Sequence, residues 1–488
     1  MKRNSGLEKA FDPKAVAIVG VSSSEKKFHP GYTGLRFLRM LQSSGFGGRI
    51  YPINPRAGEI DGIRVYPSLS LVPEPLDLVI ITVPASSVPV VLEDCAKMGA
   101  LDVHICTSGF DETREAEGVN LEERLREVAL RGGLRVIGPN CMGYHVPSAG
   151  LRMYEDVPML QGAVAFITQS GSYGTYLVRQ CAAEGIGFSK VISYGNALIM
   201  DATDYLEYLA TDPETQVICM YLEGVKDGRR LTELVRRTNL VKPVIIWKGG
   251  LTESGARAVN THTGTLAGDK QIWDTFFKQT GAIRVYSLAE MADILMTLLR
   301  LRSALGRRVA VLGNSGGGTN VARGDICAEE GIEVPVLSHE IRKKLMEFVS
   351  LVNQSVINPM DVPGVFVDAS QLERAVSLVS ADHLIDFIIL HISDDFFNII
   401  GSKKDSTEQI FAFKKCILGF ADDSWGGKPV VVAKQTLDRD GDVSNFTQHL
   451  RETGIIIYGS LRRSCRALSR FARYHEFLAE NSGFESRV

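Results

Sequence analysis

The sequence predicts an α/β protein, with one doubly wound domain followed by two domains of a repeated flavodoxin-like type. Three observations carry this. Short β-branched apolar runs alternate with helically spaced stretches along the chain, the pattern of parallel sheets covered by helices. The runs fall into three groups, and two of the groups repeat one another. The chain has 488 residues, too many for one core, and roughly 100–200 residues per domain gives two or three domains.

The first group holds AVAIVG (15–20), RIYPINP (49–55), DLVIITVP (77–84), VHICTSG (103–109) and RVIGPN (135–140). Between two of these runs, VPVVLEDCAKMGA (88–100) has helical apolar spacing. Together they define a doubly wound domain over 8–148. The stretch that follows, YHVPSAGLRMYEDVPMLQG, reads as a linker. The second group is GAVAFITQSG (162–171), KVISYGN (190–196), VICMYLEG (217–224) and KPVIIWKGG (242–250), in a domain over 160–298. The third is RRVAVLGNSGG (307–317), FIILHIS (387–393), KPVVVAKQT (428–436) and IIIYGS (455–460), in a domain over 306–476.

The repeat joins the second and third groups. FITQSGSYGTYLVRQCAAEGI parallels VLGNSGGGTNVARGDICAEEGI, and KPVIIWK parallels KPVVVAK. These are two copies of one unit. They part after the KPV strand: one copy continues to a lightly built loop carrying His262, the other to QTLDRDGDVSNF, which has no histidine. The fold can therefore omit His262, which favours a functional role for it.

Composition narrows the function. Apolar residues make up 45% and charged residues 23%, as in soluble globular proteins. A net charge of −3 gives no footprint for nucleic acid or an anionic membrane. The N-terminus has no signal-type apolar core, and no run approaches the ~18–20 apolar residues of a membrane span. Eight scattered cysteines without a CxxC pair suit free thiols in a reducing compartment. The chain reads as cytoplasmic.

Ligands bind parallel α/β sheets at the carboxyl ends of their strands, and three turns there carry small hydroxyl residues. In VAIVGVSSSEKK, Gly20 permits a tight turn, and Ser22, Ser23 and the following amides suit a phosphate; an ordinary βα turn is the other reading. It is not GxGxxG, and the second strand ends in INPR (Asn54, Arg56) rather than in the acid of a nicotinamide site. In TQSGSYGT, Ser170, Gly171 and Ser172 open a helix where an anion is favoured, though a simple N-cap needs only one serine. The third copy, GNSGGGT, reads as a structural relic or a partner-facing loop.

His262 itself stands as a surface residue, a metal ligand, a base or a nucleophile. No HxxxH or HxH accompanies it, which speaks against metal. A nucleophilic histidine wants a carboxylate on its other ring nitrogen. Glu223, ending the strand MYLEG, is the candidate by position, although the equivalent strand of the third domain also ends in acid, HISDD.

Taken in order, FDPKAVAIVG, YPINPR, ITVPA, TSGFDE, GPNCMG, TQSG, SYGN, DPETQVICMYLEGVKDG, THTGTLAG, NSGG and NPMDV resemble the nucleoside-diphosphate-forming acyl-CoA synthetases. The type is the ADP-forming acetate–CoA ligase α subunit, of the succinyl-CoA synthetase superfamily, and the likeness runs over about residues 8–476. It implies a CoA-binding Rossmann-like domain and two succinyl-CoA synthetase-like ligase domains. It implies that His262 is phosphorylated, that Glu223 holds it, and that Ser170, Gly171 and Ser172 receive the phosphoryl group. CoA would meet Gly20, Ser22, Ser23, Asn54, Arg56, Val83, Pro84, Ser108, Gly109, Asn140 and Cys141. For Cys141 the other reading is a buried small hydrophobe, and no covalent role is expected.

The implied reaction interconverts acyl-CoA, ADP and phosphate with acid, CoA and ATP, through an acyl phosphate and a phosphohistidine. ADP/ATP and Mg²⁺ would sit mainly on a separate ATP-grasp β subunit in an α₂β₂ assembly, since nothing in this sequence resembles that domain. No metal site, nucleic acid or membrane is expected of the chain itself. Three departures from the family pattern stand out: a longer first loop at 22–34, Arg56 in place of the commoner lysine, and Tyr194 where leucine is usual. The competing readings are a non-catalytic CoA or acyl-CoA sensor or partner-binding module on the same scaffold, and a nicotinamide dehydrogenase.

Overall fold

The computed structural model describes residues 6–22, 33–56, 58–152, 156–262, 268–301, 306–393, 412, 415–417, 419, 428–435 and 455–481; for 260–262 it describes the backbone alone. The chain divides into two compact units, Met1–Met291 and Ala292–Val488.

The first unit contains two sheets. One is built from β1 (Ala15–Val19), β2 (Arg49–Ile53), β5 (Leu78–Ile81), β6 (Asp102–Ile105) and β7 (Arg135–Ile137), all parallel, in the order β2-β1-β5-β6-β7. A short hairpin, β3 (Glu59–Ile60) and β4 (Ile63–Arg64), sits outside it. Every residue of β1, β5 and β6 is buried, as strands covered on both faces require. Alternation along β1 feeds two cores. Val16 and Ile18 pack with Leu35 and Leu38 of the helix Gly34–Ser43, while Ala15, Ala17 and Val19 pack with Leu92 and Leu125 of the helices Val88–Met98 and Ala116–Gly132. The helix Gly34–Ser43 begins where the Thr33 hydroxyl accepts from the Arg36 N–H.

The second sheet holds β8 (Gly143–His145), β9 (Gln161–Thr168), β10 (Phe188–Ser193), β11 (Val217–Leu222), β12 (Val244–Lys248) and β13 (Ile283–Val285), in the order β13-β12-β11-β9-β10-β8. All pairs are parallel except β8 on β10. The stretch expected as a linker thus begins with a strand, which seals the β10 edge of the second sheet. Three residues are too few to show an alternating pattern, and so β8 was invisible to periodicity.

The second unit holds β14 (Val309–Gly313), β15 (Met360–Asp361), β16 (Phe387–Ser393), β17 (Val430–Gln435) and β18 (Ile457–Tyr458), parallel throughout, in the order β15-β14-β16-β17-β18. This is the order β10-β9-β11-β12-β13 of the second sheet, strand for strand, so the sequence repeat is a repeat of topology. Under the Asn314–Gly317 turn the guanidinium of Arg323 is fully buried, donating to His391 Nδ1 (3.0 Å), Asn320 Oδ1 (3.0 Å) and Ser315 Oγ (2.9 Å). Gly313 is required there, because a Cβ would fall on that guanidinium. Among the described residues, no helix is long and apolar enough to cross a membrane.

Candidate functional site

In the strand order 2-1-3-4-5 the topological switch point lies between the first and third strands, and ligands bind in the crevice at their carboxyl ends. In the first sheet that crevice is lined by the turns after β1 and β5. Gly20 follows β1 with φ +101°, and a Cβ there would stand 2.9 Å from Thr82 Oγ1. Thr82 Oγ1 in turn donates to the Val19 carbonyl (2.8 Å), stitching the two turns together. Asn54, after β2, donates from Nδ2 to the Val21 carbonyl (2.6 Å) and accepts the Arg56 N–H on Oδ1 (2.8 Å), which leaves Arg56 exposed at the rim. Val83 and Pro84 follow β5, exposed Ser108 and Gly109 (φ +107°) follow β6, and Asn140 (φ +56°) and Cys141 follow β7. The ten described positions expected to meet CoA therefore lie at the carboxyl ends of five adjacent strands. Ser22 is among them; Ser23 lies outside the described residues. Cys141 is buried, its Sγ 3.7 Å from the Ile105 carbonyl, and burial pushes its thiol well above the ordinary range. That burial favours the neutral thiol.

The β7 end also meets the second sheet. Asn196 donates from Nδ2 to Glu112 Oε2 (2.6 Å) and Glu122 Oε2 (3.1 Å), and accepts from Asn140 Nδ2 (3.4 Å). The Asn196 and Leu198 N–H groups donate to the carbonyls of Pro139 and Gly138. A cavity of about 50 Å³ opens beside this seam, lined by Gln169, Tyr194, Asn196, Asp201, Gly224 and Lys226 among others.

At the corresponding switch point of the second sheet lies a cavity of about 980 Å³. Ser170 is the N-cap of the helix Gly171–Ala183, its Oγ accepting the Tyr173 N–H (3.4 Å) and lying 3.1 Å from Ser172 Oγ. Glu223, one residue past β11, shares the cavity with both serines. Its backbone N–H and that of Gly224 both donate to Gln169 Oε1 (2.5 and 3.0 Å), which fixes the turn. Its carboxylate is buried; Oε1 accepts from Tyr221 OH (3.3 Å), and Oε2 has no hydrogen-bond partner among the described residues. Tyr173, Tyr221 and Trp247 form an aromatic wall, with Tyr173 stacked on Trp247 at 4.9 Å. Burial and the Glu223 carboxylate raise the Tyr173 and Tyr221 hydroxyls, so both remain neutral donors.

His262 does not sit on a loop, as its small-residue setting suggested. It is the last residue of the helix Glu253–His262, which follows β12 and starts where Thr252 Oγ1 accepts the Gly255 N–H (3.1 Å). Gly255, Ala258 and Val259 of this helix line the same cavity as Ser170 and Glu223. The imidazole lies outside the described side chains, as do residues 263–267. Sequence reasoning passed over Gln169, the aromatic wall and Lys248, which is buried at the end of β12. Among the described residues, no group of three or more His, Cys, Asp or Glu side chains stands ready for a metal ion.

The fold and these strand-end sites define an acid–thiol ligase scaffold of the succinyl-CoA ligase type. Residues 14–147 match the family model of a CoA binding domain, and residues 161–298 match that of the succinyl-CoA ligase like flavodoxin domain. The ADP-forming acetate–CoA ligase I subunit alpha of Pyrococcus furiosus is 32% identical over 97% of this chain and 99% of its own length. The ADP-forming acetate–CoA ligase I of Archaeoglobus fulgidus is 37% identical over 78% of this chain, which spans about half (54%) of that longer relative. In structure, acetyl-coenzyme A synthetase 1 of Candidatus Korarchaeum cryptofilum, solved with phosphate and ADP, has a TM-score of 0.82 at 32% identity, covering 99% of each chain. The chain belongs to the family of ADP-forming acetate–CoA ligase α subunits. Relatives named as α subunits imply a separate partner subunit.

Proposed function

We propose that this chain is the α subunit of an ADP-forming acyl-CoA synthetase, with 8–148 as the CoA-binding domain and 160–298 and 306–476 as ligase domains. One observation carries the reading: a buried carboxylate with a spare oxygen, Glu223, shares a cavity with the Ser170–Ser172 helix start and with the helix that ends in His262.

In this reading CoA lies along the carboxyl ends of the first sheet, with the thioester at the Asn140–Asn196 seam. Phosphate attacks the thioester carbonyl, the C–S bond breaks, and CoA leaves as the thiol, giving an acyl phosphate. The His262 imidazole then attacks phosphorus, and the carboxylic acid departs as its carboxylate. Glu223 orients the imidazole and offsets its positive charge, and the helix N-terminus with its two serine hydroxyls receives the phosphoryl oxygens. Phosphohistidine passes its phosphoryl group to ADP, forming ATP and regenerating the imidazole. In this reading Mg²⁺ accompanies the nucleotide on an ATP-grasp β subunit, within an α₂β₂ assembly in the cytoplasm.

The test is incubation of the pure chain with Mg²⁺, labelled phosphate and a panel of acyl-CoAs. Acid-labile, base-stable label is expected on wild type and absent from His262→Ala. Equal labelling of the two would exclude the phosphohistidine route.

A further inference from the structure

A buried cation at the carboxyl edge of the second sheet has no role in the scheme above. Lys248 closes β12 and is 4% exposed. Its Nζ donates to the Glu223 carbonyl (2.8 Å) and to the Gly249 carbonyl, and it lies 5.2 Å from the centre of the Trp273 ring. An ammonium has three N–H groups, and among the described residues these two carbonyls are its acceptors. No carboxylate lies within 4 Å of it there; burial lowers its pKa to about 8, and the nearby Glu223 offsets only part of that cost. A buried ammonium without an ion-pair partner is costly unless an anion joins it.

The surroundings indicate which anion. The same cavity receives the Glu223 carboxylate, whose Oε2 is buried and unpartnered among the described residues, and the Ser170 and Ser172 hydroxyls. Its lining includes Lys248 and Lys270 against the one acid, Glu223, while Arg284, also on the lining, is already paired with Asp274. A buried ammonium and a spare carboxylate oxygen on the lining of one cavity suit an anion that carries acceptor oxygens and a proton of its own. Hydrogen phosphate is such a group: its P–O oxygens can take the Lys248 N–H, and its P–OH can donate to Glu223.

Building on the proposed function, we infer that Lys248 is a further catalytic residue: its ammonium binds an oxygen of phosphate, and then of the transferring phosphoryl group, at the N-terminus of the helix Gly171–Ala183. Because Lys248 also anchors two carbonyls, Lys248→Gln is the informative change, keeping an N–H donor while removing the charge. A charged hydrogen bond of this kind corresponds to roughly 10–100-fold in affinity. The phosphate concentration for half-maximal labelling of His262 is expected to rise by at least about tenfold in Lys248→Gln. The CoA dissociation constant measured by calorimetry is expected to stay within about twofold, since none of the residues expected to meet CoA lines the cavity that holds Lys248. Lys248→Arg should recover part of the phosphate response.

A second measurement needs no variant. Titrating the wild-type chain with inorganic phosphate should shift the Lys248 ¹⁵Nζ resonance, and chloride at matched ionic strength should not. An unmoved resonance, or wild-type phosphate dependence in a folded Lys248→Gln, overturns the role of Lys248. A wild-type chain that forms no phosphohistidine at all overturns the proposed function, and this role with it.

Discussion

Glu223 shows how much one residue can hold in place. Its backbone is fixed by Gln169, its carbonyl by Lys248, and one carboxylate oxygen by Tyr221, so that Oε2 alone is left for chemistry. Glu223→Gln keeps the shape and every backbone contact but loses the charge that offsets a forming imidazolium. Loss of an orienting partner of this kind costs about 10–100-fold. Phosphohistidine formation is expected to fall by about that factor with an unchanged circular dichroism spectrum; a rate within about twofold of wild type would remove Glu223 from the mechanism. Glu223 was legible in the sequence because a carboxylate ends an otherwise apolar strand. Lys248 was not, because the repeat carries Lys434 at the same place in KPVVVAK, so the contrast that singled out His262 was silent. Burial distinguishes Lys248, and burial is a tertiary property.

At the scale of elements, the turns at the strand ends set the CoA crevice, and Gly20 makes the turn after β1. Its φ of +101° suits glycine, and a side chain would press on Thr82, the residue that ties β1 to β5. Gly20→Ala is expected to cost about 1–2 kcal/mol locally and to weaken CoA at least about tenfold, read by calorimetry, with the second sheet's phosphate response preserved. An unchanged CoA affinity would place the ligand elsewhere. The long strands of all three sheets were legible as β-branched runs. β8, β13 and β15 were not: each has only two or three residues and, unlike the equally short β7 and β18, lies in no run of consecutive β-branched residues. The helix ending at His262 was read as a loop because serine, glycine and threonine masked its short Glu253–Arg257 and Ala256–Val259 helical core; Thr252 was the unnoticed cap. Glu253 and Arg257 do pair at 2.6 Å along one face of that helix.

Across the whole molecule, one strand order recurs three times, and each copy buries polar groups near the ends of its strands. The duplication was legible because two matching strings implied two matching sheets. The buried histidines that accompany them were not, since burial is a tertiary property and His104 and His391 have partners distant in sequence. His104 lies under the Cys141 carbonyl (3.3 Å), His145 sits on β8 near Arg152, and His391 accepts from Arg323. Burial holds His104 and His145 down to about 4 and, with the Arg323 charge, His391 to about 3. All three are neutral in the folded chain, whereas in the unfolded chain they titrate near 6.5. The unfolded state therefore binds more protons below that value, so stability is full above about pH 6.5 and falls as pH drops towards 4. Together the three should remove on the order of a few kcal/mol. Asp102 and Glu122, raised by burial, oppose this only in the lower part of the window, near the carboxylate range. The urea midpoint should thus be lower at pH 5 than at pH 7, and His104→Gln, which keeps a donor for the Cys141 carbonyl but cannot be protonated, should reduce the difference. A midpoint that does not move between these pH values would mean that the histidines are charged or solvated in the native chain. The packing of Gly143 directly against the His104 ring leaves no room for that solvation, since even a Cβ at this glycine would meet the imidazole.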